Sequence, residues 1–313
     1  MSELIQIGEG ASAFTHRRLP SHCVRPQART PEIAGIERML RARRLHSVCE
    51  EARCPNRSEC WTAGHVTFML LGSVCTRACR FCAVETGLPA NAPDPAEPEQ
   101  VARAAADLSL SHVVLTSVDR DDLPDGGAGQ FAATVQALRE ARAETTVEVL
   151  TPDFQGDRSS VETVCDARPD VYNHNVETVP RLYRTVRPGA RFERSLDVLS
   201  SARSARPGAV VKSGLMLGLG ESEGEVVEVL EALLGAGVDS VTMGQYLRPT
   251  RHHLPVDRYW EPEEFETLAG AARDLGFSHV ASGPLVRSSY HAGDAYAQMR
   301  GARLSETPAE GWR

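Results

Sequence analysis

From residue 65 onward, apolar runs of strand length alternate with segments of helical period. The runs fall at 65–71, 112–117, 147–151, 170–174, 210–217, 240–245 and 278–282. Between them, apolar residues recur at helical spacing over about 96–109, 129–143, 158–167, 193–206, 222–236 and 261–275. Strands that alternate with helices pair in parallel and connect through right-handed crossovers. Six or seven such units build a full or partial barrel of the TIM type, and a doubly wound open sheet would give the same alternation. In either architecture ligands gather at the carboxyl ends of the strands. Unusual polar residues stand at those ends: Cys75 after the first run, 116–122 after the second, Thr151 and Asp153 after the third, 173–177 after the fourth.

Composition narrows the function classes. With 313 residues, 42% of them hydrophobic, one large α/β domain is as good a reading as two smaller ones. The net charge of -8 argues against a general nucleic-acid binder. No apolar run approaches the roughly 18 residues of a membrane span, and the first residues lack a basic segment followed by an apolar one. A soluble, cytoplasmic protein with no membrane contact is expected, and a monomer. Residues 1–45 show weak periodicity and read as an extension wrapping the domain. Lys212 is the only lysine in a chain whose other basic residues are arginine. Either a compact ammonium is required there or one lysine survived by chance.

Six of the eight cysteines lie in one stretch. Cys49, Cys54 and Cys60 are spaced C-x4-C-x5-C, and Cys75, Cys79 and Cys82 are spaced C-x3-C-x2-C. Cys23 and Cys165 stand alone, with no role expected. Thiolates select zinc, copper(I) or iron-sulfur clusters, and three of them leave a metal position open. A four-iron cluster held by three thiolates keeps one iron free to chelate an amine and a carboxylate. A zinc site completed by His65 or His46 is the alternative, although the spacing is unusual for zinc. With Phe81 before its third cysteine, the second triplet resembles the signature of the radical S-adenosylmethionine (SAM) enzymes, whose fold is a partial βα barrel. The stretch GLMLGLGE, with Met216 and Gly218, resembles the strand by which those enzymes pack against adenine.

The resemblance extends to a narrower family. The segments VCEEARCPNRSECW, CTRACRFC, TSVDRDDLPDGGA, VLTPDFQG, NHNVETVPRLY, KSGLMLGLGE, GQYLRPTRHHLPVDRY and GPLVRSSYHAG are similar to lipoyl synthase, over about residues 48–294. This resemblance implies a partial TIM-type (βα)6 barrel at 63–283. It would be flanked by an amino-terminal extension at 1–62 and a carboxyl-terminal one at 284–313, which together carry an auxiliary cluster. It implies two 4Fe-4S clusters and SAM as cofactors. Cys75, Cys79 and Cys82 would hold the catalytic cluster. Cys49, Cys54 and Cys60 would hold the auxiliary one, with a serine of Arg287-Ser288-Ser289-Tyr290 as fourth ligand: Ser289, with Ser288 the second choice. Thr116, Ser117, Asn175, Glu177, Arg187, Lys212, Met216 and Gly218 are expected to contact SAM. The implied reaction inserts two sulfur atoms at carbons 6 and 8 of an octanoyl chain on a carrier-domain lysine. The implied partners are an octanoylated glycine cleavage H protein or 2-oxoacid dehydrogenase E2, a ferredoxin or flavodoxin reductant, and an iron-sulfur carrier for cluster repair. A related sulfur-inserting enzyme with another acyl or peptide substrate, or a non-catalytic iron-sulfur scaffold, remains as the alternative.

Overall fold

The computed structural model describes residues 19–306. Residues 1–18 and 307–313, the outer parts of the two expected extensions, lie outside the described residues. Among the described residues the central sheet has eight strands. Seven are mutually parallel: β2 (Thr67–Leu70), β5 (His112–Ser117), β6 (Thr146–Leu150), β7 (Val171–Asn173), β8 (Val210–Leu217), β9 (Ser240–Gln245) and β10 (His279–Gly283), paired in that order. A two-residue strand, β1 (His46–Ser47), joins the outer edge of β2 antiparallel. Two further short strands, β3 (Val74–Cys75) and β4 (Glu85–Thr86), pair with each other across the first cysteine of the second triplet. The sheet's edge strands are β1 and β10, so among the described residues it is an open, partial barrel.

Helices α4 (Glu97–Asp107), α5 (Ala128–Ala141), α6 (Arg158–Asp166), α8 (Phe192–Ala205), α9 (Glu223–Gly235) and α10 (Pro262–Leu275) occupy the segments whose period predicts them. Their starts follow local chemistry. Asp157 caps α6 by accepting from the amides of Ser159 and Ser160, and Ser222 with Glu225 forms a capping box at α9. Buried faces such as Val226, Val229, Leu230 and Leu233 of α9 pack on the sheet.

The amino-terminal stretch is better organised than its weak periodicity suggests. Helix α1 (Pro31–Arg43) starts at Thr30, whose side chain accepts from Ile33 N, with proline at the first position. It buries Ile33, Ile36 and Leu40, one face at helical spacing among arginines. Two short helices follow, α2 (Val48–Glu51) and α3 (Arg57–Thr62), and α7 (Tyr183–Val186) lies between β7 and α8. Helix α11 (Ala292–Glu306) covers the amino end of the barrel, where Tyr296 donates to Asp170 at 3.2 Å and Gly293 lies against His112. Among the described residues no helix is long and apolar enough to cross a membrane.

Candidate active site

The second triplet lies on a loop that its neighbours fix on three sides. Asp119 N donates to Cys75 Sγ at 3.3 Å, and Thr76 N donates to the Asp119 carbonyl at 3.0 Å. Arg80 N donates to Val186 O, Leu254 N donates to Arg80 O, and a His253 ring nitrogen lies 2.9 Å from Cys82 O. Arg77, between the first two cysteines, ties the loop to the strand ends. Its guanidinium donates twice to Asp121 at 2.8 Å and once to Asp153 at 2.5 Å, and lies 3.4 Å from Asp119. Although burial pushes the Asp153 carboxyl upward, Arg77 holds it down to about 2. Arg120 pairs with Asp122, while Asp119 and Asp121 face Arg77. Sequence reading missed Arg77; the signal was an arginine between the first two cysteines of the loop and three aspartates in loops expected at the same end.

Cys75, Cys79, Cys82 and Phe81 open into a cavity of about 280 Å³ at the carboxyl ends of the strands. Thr116, Ser117, Asn175, Glu177, Arg187 and Met216 line its other walls, so six of the eight expected SAM contacts converge on the triplet. Three of them carry buried atoms without a hydrogen-bond partner among the described residues: Ser117 Oγ, Asn175 Oδ1 and Arg187 Nε. Arg187 is otherwise held in place, donating to the carbonyls of Asn175 at 2.9 Å and Val176 at 3.2 Å. Unpaired buried polar atoms are costly, and the three residues that carry them all line this one cavity. A ligand that brings both donors and acceptors, as an amino acid joined to a sugar does, would satisfy them.

Two expected contacts do not reach this cavity. Lys212 lies on β8 below Met216, 2% exposed, and donates to Glu148 at 3.0 and 3.2 Å. Residues 212, 214 and 216 share a face of the strand, so the ammonium points into the barrel, but four residues place it about 13 Å below the cavity end. There it joins His112, Glu148 and Asn173 in a buried polar floor, where Asn173 donates to Glu148 at 2.9 Å. Against the upward push of full burial, Lys212 and His112 hold the Glu148 carboxyl down to about 2. Gly218 lies beyond the strand, with φ of 101°, and a Cβ there would collide with Gln245 Nε2. It serves the turn, as only glycine adopts that conformation without strain. His65 and His46, the alternative zinc ligands, do not line the cavity either.

The first triplet stands on the other side of one wall. Cys49 lies on α2, Cys60 on α3 and Cys54 between them. Ser47 anchors this segment, accepting from Cys49 N at 3.2 Å and donating to Thr67 O of β2 at 3.0 Å. Val48 and Ala52 face the central cavity, whereas Cys49 and Cys54 line an outer groove together with Cys23. Cys23, alone in the sequence, is thus a neighbour of this triplet. In neither triplet do all three sulfurs lie within 4.8 Å of one another among the described residues. One zinc ion would draw its thiolates to about 4 Å, so the wider spacing suits a cluster better. Burial pushes the Cys60 and Cys82 thiols up to about 12 and Cys75 to about 11, so cluster binding must displace protons.

The segment after β10 meets both sites. Asn56 donates to Leu285 O at 2.6 Å, and Tyr290 donates to Glu59 at 2.8 Å. Val286, Arg287 and Ser288 line the central cavity; Ser289 does not. The approach is close, since a Cβ on Gly244 would collide with the Val286 carbonyl oxygen.

Residues 69–233 match the Radical SAM superfamily. Among solved structures, methylornithine synthase superposes with a TM-score of 0.53 at 15% identity, covering 81% of this chain and 79% of that one. The Streptococcus suis protein SuiB bound to S-adenosylmethionine gives 0.52 at 15%, covering 70% and 50%. These likenesses establish the partial-barrel fold. Sequence relatives go further. The chain is 54% identical to lipoyl synthase of Rubrobacter xylanophilus, covering 91% of this chain and 88% of that protein. It is 53% identical to lipoyl synthase 2 of Thermosynechococcus vestitus, covering 89% and 98%, and 57% identical to lipoyl synthase of Methylococcus capsulatus, covering 83% and 81%. Identical to these proteins at more than half of the aligned positions, over most of its length, the chain belongs to the lipoyl synthase family of radical SAM enzymes.

Proposed function

We propose that this protein inserts sulfur at carbons 6 and 8 of an octanoyl chain amide-linked to a lysine of a carrier domain, the H protein or an E2 subunit. One observation carries the reading. The segment from Val48 to Cys54 is a partition, with a cavity lined by Cys75, Cys79 and Cys82 on one face and a groove lined by Cys49 and Cys54 on the other. Cys75, Cys79 and Cys82 hold the SAM-binding cluster; Cys49, Cys54 and Cys60 hold the auxiliary one, completed by Ser289, with Ser288 as the alternative. When bound, SAM at the open iron supplies a hydrogen-abstracting 5′-deoxyadenosyl radical, and the auxiliary cluster supplies sulfide.

The chain's own residues do the positioning. Ser117, Asn175 and Arg187 offer their unpaired atoms to the methionyl and ribose groups, while Met216 packs on the adenine. Thr116 is already bonded to Leu150 O at 3.0 Å and shapes the wall. The apolar side of the cavity, with Val48, Ala52, Met69 and Val286, suits an alkyl chain running from one triplet toward the other. A serine oxygen is a harder and weaker partner for iron than a thiolate, which suits a cluster that is consumed. A ferredoxin or flavodoxin provides electrons, and an iron-sulfur carrier rebuilds the auxiliary cluster.

The test is anaerobic incubation of cluster-reconstituted protein with dithionite, SAM and an octanoyl-lysine peptide, followed by mass spectrometry. Gain of two sulfurs as the dithiol, with two hydrogens lost only on later oxidation to the disulfide, together with 5′-deoxyadenosine, is expected. 5′-Deoxyadenosine with an unaltered peptide would move the substrate elsewhere, and neither product would favour a scaffold.

A further inference from the structure

Outside both cysteine sites, His65, His291 and Asp294 place one ligand atom each within 4.8 Å of one another. They are the only three His, Cys, Asp or Glu residues to do so among the described residues. His65 follows α3 and is tied back to it, its amide donating to Cys60 O at 2.8 Å. His291 and Asp294 follow the Arg287-Ser288-Ser289-Tyr290 segment. The cluster thus sits where the two parts of the auxiliary site meet.

An ion-pair network accounts for most of these groups. Asp294 Oδ2 lies 2.8 Å from His291 Nδ1, Tyr290 donates to Glu59, and Arg25 pairs with Glu59. It does not account for His65, whose half-buried ring has no hydrogen-bond partner among the described residues and stands edge-on to His291, centroids 5.8 Å apart. The geometry resembles a metal site with its outer partner in place. Tetrahedral zinc ligands at about 2.0–2.2 Å lie roughly 3.3–3.5 Å from one another, so the 2.8 Å His291–Asp294 contact need open by only about half an ångström as the metal replaces its shared proton. The other nitrogen of His291 faces Glu59 Oε1 at 3.5 Å. A carboxylate behind a ligating histidine is the usual means of fixing its tautomer.

We propose that His65, His291 and Asp294 bind one divalent transition-metal ion of the zinc class, clipping the segment that carries Ser288 and Ser289 onto the helix that carries Cys60. Two imidazoles and one carboxylate suit zinc, cobalt(II) or iron(II), and not calcium or magnesium. The site is distinct from the cysteine clusters, and its occupancy does not depend on the proposed reaction.

The test is anaerobic calorimetric titration of zinc sulfate into protein with both clusters built and SAM saturating, with iron content confirmed unchanged. One saturable site is expected in the wild type. Affinity should fall by about 100-fold or more in His65→Gln and in Asp294→Asn, by about 10–100-fold in Glu59→Gln, and not in His252→Gln. Asp294 is exposed, so its variant keeps the test interpretable should His65→Gln fold poorly. Amide hydrogen exchange across 284–294 should slow on zinc addition in the wild type and stay unchanged in Asp294→Asn. Absence of a saturable site, or full affinity in both ligand variants, would overturn the proposal. Binding with no slowing of exchange would overturn the clip.

Discussion

At the residue scale, two buried groups have measurable consequences. Lys212 and Glu148 are a buried pair, 2% and 1% exposed, and removing one partner strands the other. Lys212→Met should therefore lose about 3–5 kcal/mol in urea unfolding, and adding Glu148→Leu should recover most of that. A single-variant loss below about 1 kcal/mol would contradict a pair of this kind. His174 is buried among carbonyl and hydroxyl partners, its Nδ1 donating to Thr151 O at 2.9 Å and its Nε2 accepting from Ser195 at 3.0 Å. Burial, and then the positive charge of Arg187, hold the folded imidazole down to about 4, against 6.5 for an ordinary histidine. Between those values the unfolded chain takes up a proton that the folded one refuses, so acidification favours unfolding. The contribution is full above pH 6.5 and falls by about 3 kcal/mol by pH 4. His174→Gln should flatten that part of the stability-against-pH curve, and an unchanged slope would show that other groups set it.

At the scale of elements, the carboxyl-terminal segment depends on a strand residue far from it in sequence. Gly244 of β9 lets Val286 and Arg287 approach the barrel mouth. Gly244→Ala should displace that segment while leaving the second triplet's loop in place. The expected outcome is a loss of sulfur insertion of about 100-fold with 5′-deoxyadenosine formation reduced much less. Equal loss of both would mean that the glycine shapes the SAM pocket instead. The elements themselves were largely legible. Three of the seven runs, at 112–117, 210–217 and 240–245, coincide with strands, and the six periodic segments match helices within two residues. Helix α1 was not, because its apolar stripe of Ile33, Ile36 and Leu40 is narrow and set among charges. Helix α11 was missed as well, lying in a carboxyl-terminal region read only for its serine motif.

For the whole molecule, motif spacing carried the cysteine sites and strand periodicity placed the polar wall residues. What neither signal held was depth. Strand alternation puts Lys212 and Met216 on one interior face, but only the register of the sheet places one at the floor and the other at the mouth. Likewise Cys23 comes beside the first triplet through chain folding that spacing does not record. The central claim is the proposed assignment of radical generation to the second triplet and sulfur supply to the first, on either side of the partition. The most direct test is the anaerobic octanoyl-peptide assay on a Cys49→Ala, Cys54→Ala, Cys60→Ala variant beside the wild type. The variant should still form 5′-deoxyadenosine yet return the peptide without sulfur, while the wild type adds two. A variant that still adds sulfur would contradict the assignment of the first triplet as donor.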